Sequence, residues 1–251
     1  MDTPLFSEDF MQYSKDNHYF LLADGIDNTN SLALFMPKTW QKAQRIIGHA
    51  RGRGVTWFIG TQDLWDMNVA LRHYYRGGLW GKFNKDLYYS KDVALSRSFM
   101  EFNLLQKLHQ QGLAVPRPIA AHVHKVGWGF YRADLISELI EDAQDLTAVL
   151  QEQSLNAQQW QEIGALVKKL HKNQVCHTDL NAHNILLQHA NTPNEKFYLI
   201  DFDKCSERLG DDWKKDNLAR LRRSFLKEVN RMHIHFDDAC WQNLLAGYDA
   251  N

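Results

Sequence analysis

Three oxygen-bearing side chains, set at short and fixed spacings, define the chemistry of this sequence. The run His177-Thr178-Asp179-Leu180-Asn181-Ala182-His183-Asn184 is followed by the apolar run Phe197-Tyr198-Leu199-Ile200, which ends in Asp201-Phe202-Asp203, with Asp201 seventeen residues beyond Asn184. The interval accommodates a strand, a turn and a returning strand. Such a hairpin brings Asp179, Asn184 and Asp201 to one end of a small sheet. A carboxylate facing a hydroxyl, with an amide oxygen and a second carboxylate beside it, suits Mg²⁺ and a phosphoryl group in transit. Asp179 is the expected catalytic base, and Asn184 and Asp201 the expected Mg²⁺ ligands. His177 is expected to brace the loop by hydrogen bonds.

These residues need a scaffold, and the remaining chain reads as one. Of 251 residues, 44% are hydrophobic and 24% charged, an ordinary globular composition with length for two lobes. The formal net charge of −1 gives no whole-molecule field for nucleic acid. Cys176, Cys205 and Cys240 form no even framework and read as free thiols. The twelve histidines show no zinc-finger spacing and no H-E-x-x-H, which speaks against a structural metal. Residues 1–10 lack the apolar stretch of a signal peptide, and no apolar run approaches the roughly 20 residues of a membrane span. A soluble or peripheral protein is expected.

The first seventeen residues are polar and read as loose or as an edge extension, and His18–Ile26 contains a strand. A helix is predicted from Pro37 to Ile47, stopped by Gly48. Arg51-Gly52-Arg53-Gly54 is a Gly-rich turn into the strand Val55–Ile59. Backbone N–H groups there can approach phosphate oxygens closely. The next strand, Asn68–Tyr74, carries Val69-Ala70-Leu71-Arg72. Phe99, Phe102, Leu105 and Leu108 mark a helix over Ser96–Gln110 that includes Glu101. Trp128–Ile140 supplies one or two strands. Helices are predicted over Asp145–Gln151, from Leu155 or Asn156 to about His171, over Asp216–His233 and over Phe236–Tyr248. Strands with one helix, then helices with one hairpin, make an α+β chain with a small β-rich N-terminal lobe (1–140) and a helical C-terminal lobe (141–251).

H-x-D-L-x-x-x-N is the spacing of kinase catalytic loops, and Val-Ala-Leu-Arg stands where kinases carry V-A-I-K. With Arg51–Thr56, Leu71–Tyr74, Arg76-Gly77-Gly78-Leu79, Glu101-Phe102, Val115-Pro116-Arg117-Pro118 and Leu199–Asp203, these motifs resemble the lipopolysaccharide kinases, over about residues 38 to 231. The resemblance implies a protein-kinase-like fold and ATP with Mg²⁺. It implies transfer of the γ-phosphate to the 4-hydroxyl of a 3-deoxy-D-manno-octulosonic acid (Kdo) sugar on a lipid A precursor. It also implies a peripheral place on the cytoplasmic side of a bacterial inner membrane. Gly52, Arg53, Gly54, Arg72 and Glu101 are then the expected nucleotide contacts.

Two departures shape this reading. Arg72 replaces the kinase lysine with a planar, permanently charged fork that still suits phosphate and Glu101. Asp203 replaces the glycine of D-F-G, removing a residue free to take φ > 0. No A-P-E run follows, so a protein substrate is disfavoured. Residues 38–91 carry ten Lys or Arg against three Asp, a net of +7. Among them are Lys38, Lys42, Arg45, Arg76, Lys82, Lys85 and Lys91, with Trp80, Phe83, Tyr88 and Tyr89 interleaved. Such a stretch suits a membrane surface or an anionic glycolipid. It suits RNA equally by charge, but no RNA-reading motif accompanies it, so no nucleic-acid partner is expected. The alternatives are a heptose kinase of the lipopolysaccharide core, another small-molecule phosphotransferase and, in a different class, a nucleotide-binding pseudokinase whose sole support is Arg72.

Overall fold

The structure is a computed structural model that describes residues 10–52, 54–76 and 85–250. The chain forms two compact units, 1–103 with 117–139 and 104–116 with 140–251.

The first unit is one antiparallel sheet with short helices. Its elements are β1 (Phe10–Lys15), β2 (His18–Ala23), α1 (Ser31–Leu34), α2 (Pro37–Lys42), β3 (Ile46–Arg51), β4 (Val55–Ile59), α3 (Gln62–Trp65), β5 (Val69–His73), β6 (Tyr88–Tyr89), the start of α4 (Arg97–Gln110), β7 (Pro118–Gly127) and β8 (Phe130–Glu138). The strand order is β1-β2-β7-β8-β5-β4-β3, with β6 on β8. Alternation in β5 sorts its side chains between the two faces. Val69 and Leu71 join Phe20, Leu22, Ile59, Ile119 and Ile136 in a core that Phe35 and Trp40 cap. Arg72 points to the opposite face, where it meets Glu101 of α4.

Two sequence expectations are corrected, and near the N-terminus the edge-extension reading holds: Phe10–Lys15 is an edge strand that pairs with β2 through a two-residue turn at Asp16-Asn17, both at positive φ (49° and 64°). Short Asx residues tolerate that conformation, which matches the twist of a hairpin. The helix at Pro37 stops at Lys42 rather than Ile47. Gln44 turns left-handed (φ 57°), Arg45 N–H bonds the Trp40 carbonyl at 2.9 Å, and Ile46–Arg51 becomes a strand against Val55–Ile59. Register with β4 overrides the helical pattern there. Trp128 starts no strand; it sits at φ 52° between Gly127 and Gly129, at the tip joining β7 to β8. The strand before it, Pro118–Gly127, escapes a periodicity reading because Pro118–Val123 is buried at every position. A strand between two others and covered on both faces shows no polar alternation.

The second unit holds β9 (Ala143–Asp145), α5 (Leu146–Glu152), α6 (Ala157–Lys172), β10 (Val175–Cys176), β11 (Ile185–Gln188), β12 (Lys196–Leu199), β13 (Ser206–Glu207), α7 (Lys214–Met232) and α8 (Asp238–Asp249). The segment 104–116 is tied to it by Leu199 N–H on the Ala114 carbonyl (3.0 Å) and Lys169 on the Gly112 carbonyl (2.5 Å). Asp145, Asn156 and Asp237 cap α5, α6 and α8, each side chain satisfying otherwise orphaned N–H groups. For α6 this is a full capping box with Gln159. Trp160, Ile163, Val167 and Leu170 form its buried stripe, with Phe225 and Phe236 packed on Trp160 at 5.4 and 5.5 Å. Where α6 meets α8, Gly164 and Gly247 let the backbones touch. A Cβ at Gly164 would lie 1.9 Å from the Leu244 carbonyl oxygen, and one at Gly247 2.0 Å from that of Gln161. Backbone cannot yield as a flexible side chain does, so either alanine would force the helices apart, at about 3 kcal/mol or more.

Candidate active site

β11 and β12 pair antiparallel, Ile185 opposite Leu199, and Ile200 N–H continues the ladder onto the Asn184 carbonyl at 3.0 Å. That register fixes Asn184 and Asp201 at the same end of the hairpin. The loop before β11 closes over them. Asn181 caps a single 3-10 turn, its Oδ1 accepting from Asn184 N–H at 3.1 Å. The Asn181 and Asn184 amides both donate to the Asp179 carbonyl, at 3.0 and 2.9 Å. Asp179 is therefore placed through its backbone, and its carboxylate is left for other work.

His177 is fully buried and braces this loop. Its Nε2–H donates to the Ile200 carbonyl (3.0 Å), and its Nδ1 accepts from Asp179 N–H (3.2 Å). Burial pushes its pKa down and keeps the ring neutral, as this pair of bonds requires. Phe202 packs on the ring at 4.8 Å. In Asp201-Phe202-Asp203, positive φ falls on Asp201 (62°), and next on Lys204 (67°), not on Asp203. The aspartate that stands in for glycine thus carries no backbone strain.

A second layer supports the loop. Asn217 of α7 donates to the His177 carbonyl at 2.8 Å and accepts from His171 Nε2 at 3.0 Å, while Tyr248 donates to His171 Nδ1 at 2.9 Å. Ser224 Oγ accepts from Ala182 N–H at 3.1 Å, and His183 lies between Thr147 (2.7 Å) and buried Glu228 (3.7 Å). Burial holds the His171 pKa at about 4, against the bond it donates to Asn217 and with the repulsion of Lys214. Its folded pKa lies below the ordinary value of about 6.5, so the unfolded chain binds the extra proton between those pH values. Stability is then full above about pH 6.5 and falls by about 3 kcal/mol as pH drops through 4. Chemical denaturation from pH 7 to 4 should show this slope, and His171→Gln should flatten it. An unchanged slope in that variant would assign the effect elsewhere.

One side chain at this centre went unremarked as functional in the sequence. Arg220 of α7 reaches Asp179, Nη2 to Oδ1 at 2.8 Å. Burial alone would raise the Asp179 pKa. The bonds from Arg220 and Asn181 outweigh it and hold the carboxyl below the usual carboxylate range. The signal was available: Asn217, Arg220, Ser224 and Glu228 recur at helical spacing within α7, a polar stripe beside the apolar one.

In the first unit, Arg72 and Glu101 meet as predicted. Arg72 Nη2 lies 2.6 Å from both carboxylate oxygens, Tyr74 OH donates to Oε2 at 2.6 Å, and the guanidinium lies over the Tyr74 ring at 4.8 Å. Gly52 and Gly54 form the turn between β3 and β4, closed by Gly52 N–H on the Gly54 carbonyl at 2.9 Å. A Cβ on Gly54 would fall 2.1 Å from the Tyr75 ring, so any side chain here displaces that ring. Arg53 lies outside the described residues, as do Gly77, Gly78, Leu79, Trp80, Lys82 and Phe83 of the basic loop. Tyr88 is buried, its ring flanked by Arg76 and Arg97 at 4.9 and 4.5 Å, whereas Tyr89 is exposed.

Similar proteins bear on this arrangement. The chain is 56% identical to 3-deoxy-D-manno-octulosonic acid kinase of Mannheimia succiniciproducens, over 95% of this chain and 99% of that protein. The enzyme of the same name from Pasteurella multocida is 53% identical over 96% and 100%. That from Vibrio vulnificus is 49% identical over 87% and 89%. Among solved structures, "WaaP in complex with acyl carrier protein" superposes with a TM-score of 0.58 at 16% identity, covering 91% of this chain and 88% of that one. The Rio2 kinase of Chaetomium thermophilum, in an ADP/Mg²⁺-phosphoaspartate complex, gives 0.52 at 14% identity, covering 97% and 73%. At such identities these two likenesses speak for the fold alone, which is protein-kinase-like. Residues 37–248 match the lipopolysaccharide kinase (Kdo/WaaP) description, and the chain belongs to that family.

Proposed function

We propose that this protein transfers the γ-phosphoryl group of ATP to the 4-hydroxyl of a Kdo sugar on a lipid A precursor, a step of lipopolysaccharide core biosynthesis. Relatives bearing the name of that kinase match nearly the full chain. The observation in the structure that supports the reading is the half-exposed Asp179 carboxylate, held below the usual carboxylate range by Arg220, on a loop that Asn184 bonds through the Asp179 carbonyl, with Asn184 and Asp201 at one end of the β11–β12 hairpin. Phosphoryl transfer passes through a loose transition state in which the acceptor hydroxyl keeps its proton late. A weakly basic carboxylate that orients the hydroxyl and accepts the proton at the end is sufficient. Asp179 has that character because Arg220 lowers its pKa.

Asn184 and Asp201 are assigned to Mg²⁺. The donor set fits. Asn184 spends its amide nitrogen on the Asp179 carbonyl, which presents its amide oxygen as the donor, and Asp201 adds a carboxylate; hard oxygens of this kind suit the ion. When bound, the ion would neutralise charge on the ATP phosphates. In the first unit, Arg72, positioned by Glu101 and Tyr74, and the Gly52-Arg53-Gly54 turn are assigned to the phosphates of ATP. The first unit is thus the nucleotide-binding one and the second the catalytic one.

A membrane-surface location, on the cytoplasmic side of the inner membrane, belongs to the same proposal. Among the described residues no helix is long and apolar enough to cross a membrane. At the β7–β8 tip, Trp128 is 96% exposed, with Val126, Phe130 and Tyr89 also exposed and Lys91 and Lys125 lining the same hollow. Indole and lysine side by side suit the headgroup region of an anionic bilayer.

The deciding experiment supplies labelled ATP and Mg²⁺ with either a Kdo-bearing lipid A precursor or a heptose-bearing core. Label should enter the Kdo lipid. Label in heptose alone, or in neither, would overturn the proposal. With anionic vesicles the protein should float at low salt and be released as salt rises; binding indifferent to salt would remove the membrane part.

A further inference from the structure

Arg220 does more at this site than its bond to Asp179 requires. Both partners are about half exposed, 47% for Arg220 and 48% for Asp179, and the bond uses only one of five guanidinium N–H donors. The base of the side chain is rigidly held, because Asn217 and Ser224 on the same stripe of α7 bond the catalytic loop directly. The Arg220 guanidinium therefore borders the position that an acceptor hydroxyl must occupy to reach Asp179.

The acceptor named above is a sugar acid. Its carboxylate sits on C2, its reacting hydroxyl on C4, and only the deoxygenated C3 lies between. A hydroxyl resting on Asp179 brings that carboxylate into the immediate surroundings of the same aspartate. Two carboxylates so close repel each other unless a cation is shared between them. A planar fork already holding one of them has a second edge for the other.

We propose that Arg220 forms the carboxylate subsite of the acceptor, binding the C1 carboxylate of the sugar acid with the edge of its guanidinium that Asp179 leaves open. The proposal rests on the Kdo kinase reading and makes Arg220 a specificity-determining residue within it. A neutral heptose offers nothing to this edge, so the subsite also favours one lipopolysaccharide sugar over another.

Steady-state kinetics of the full chain decide it, with two acceptors: the Kdo lipid and its counterpart in which C1 is reduced to the alcohol. The wild-type protein should lose about 10- to 100-fold in kcat/KM on going from acid to alcohol, the range expected for hydrogen bonds to a charged group. Arg220→Ala should raise the acceptor KM for the acid by a similar factor, leave the KM for ATP unchanged, and treat the two acceptors alike. Arg220→Lys, which keeps the charge without the fork, should fall between; the unchanged KM for ATP in either variant reports an intact fold. If Arg220→Ala lowers kcat with the acceptor KM unmoved, or still prefers the acid by the wild-type factor, the subsite is elsewhere. A wild-type protein that phosphorylates neither acceptor overturns the parent reading as well. A wild-type protein that uses both equally overturns this one alone.

Discussion

Replacing Asp179 by asparagine should lower kcat by about 10²- to 10⁴-fold, the usual contribution of a positioned acid–base group, while ATP affinity and the unfolding midpoint stay near those of the wild type. The structure separates the two effects. The bonds that hold the loop run to the Asp179 backbone: its N–H to His177, and its carbonyl to Asn181 and Asn184. The carboxylate accepts from the half-exposed Arg220 and from Asn181, bonds that an amide oxygen still accepts. Exposed pairs of that kind contribute little to stability, about 0–1 kcal/mol. What asparagine lacks is a place for the hydroxyl proton. Steady-state turnover and nucleotide titration on the same preparation test this. A variant that keeps more than about a tenth of the wild-type kcat would exclude the role, because even a modest general base contributes more. In the wild type the lowered pKa adds a sign: acidification through pH 5 should leave Asp179 ionised, so rate lost there must come from another group.

Much of this arrangement was legible in the sequence because it is local. H-x-D-L-x-x-x-N and the strand ending in Asp201 lie on one hairpin, and the spacing determines which residues share its end. Glu101 opposite Arg72 was also legible, since a helical period placed Glu101 and strand alternation placed Arg72. The failures share a cause. Pro118–Gly127 was missed because a strand buried on both faces has no alternation to read. The Pro37 helix ends short of its local pattern, because nothing local in Ile46–Arg51 reveals that Val55–Ile59 will claim it as a partner. Arg220 was passed over for the same reason, forty-one residues from Asp179 and on a separate helix. Only the docking of α7 on the loop gives its charge a use. Long-range partners decide these cases, and a single chain read in short windows does not contain them.

Arg72 supplies the second large effect, and it separates stability from catalysis differently. Glu101 is buried, and Arg72 and Tyr74 both contact its carboxylate. Arg72→Ala removes the cation that lies 2.6 Å from both oxygens of this buried carboxylate, a loss of about 3–5 kcal/mol. The unfolding transition should shift strongly. Activity should fall with it, since the phosphates of ATP lose their assigned cation. Arg72→Lys is the sharper variant, because it installs the residue found at this point in V-A-I-K kinases. A lysine keeps the charge but offers a point ammonium in place of the guanidinium, which reaches both Glu101 oxygens and lies over Tyr74. Stability should recover most of the loss. The KM for ATP should remain raised, because a point ammonium committed to Glu101 lacks the planar fork that matches phosphate oxygens. If Arg72→Lys binds ATP as the wild type does, the arginine is an interchangeable cation and the geometry of its fork carries no function. If Arg72→Ala is as stable as the wild type, Glu101 has taken up a proton at little cost. Coupling to Arg72 would then not be what holds that carboxylate in place. Arg72→Met with Glu101→Gln distinguishes the two: removing both charges together should restore most of the stability, as expected when an orphaned buried charge is the main penalty, while leaving the defect in ATP binding untouched.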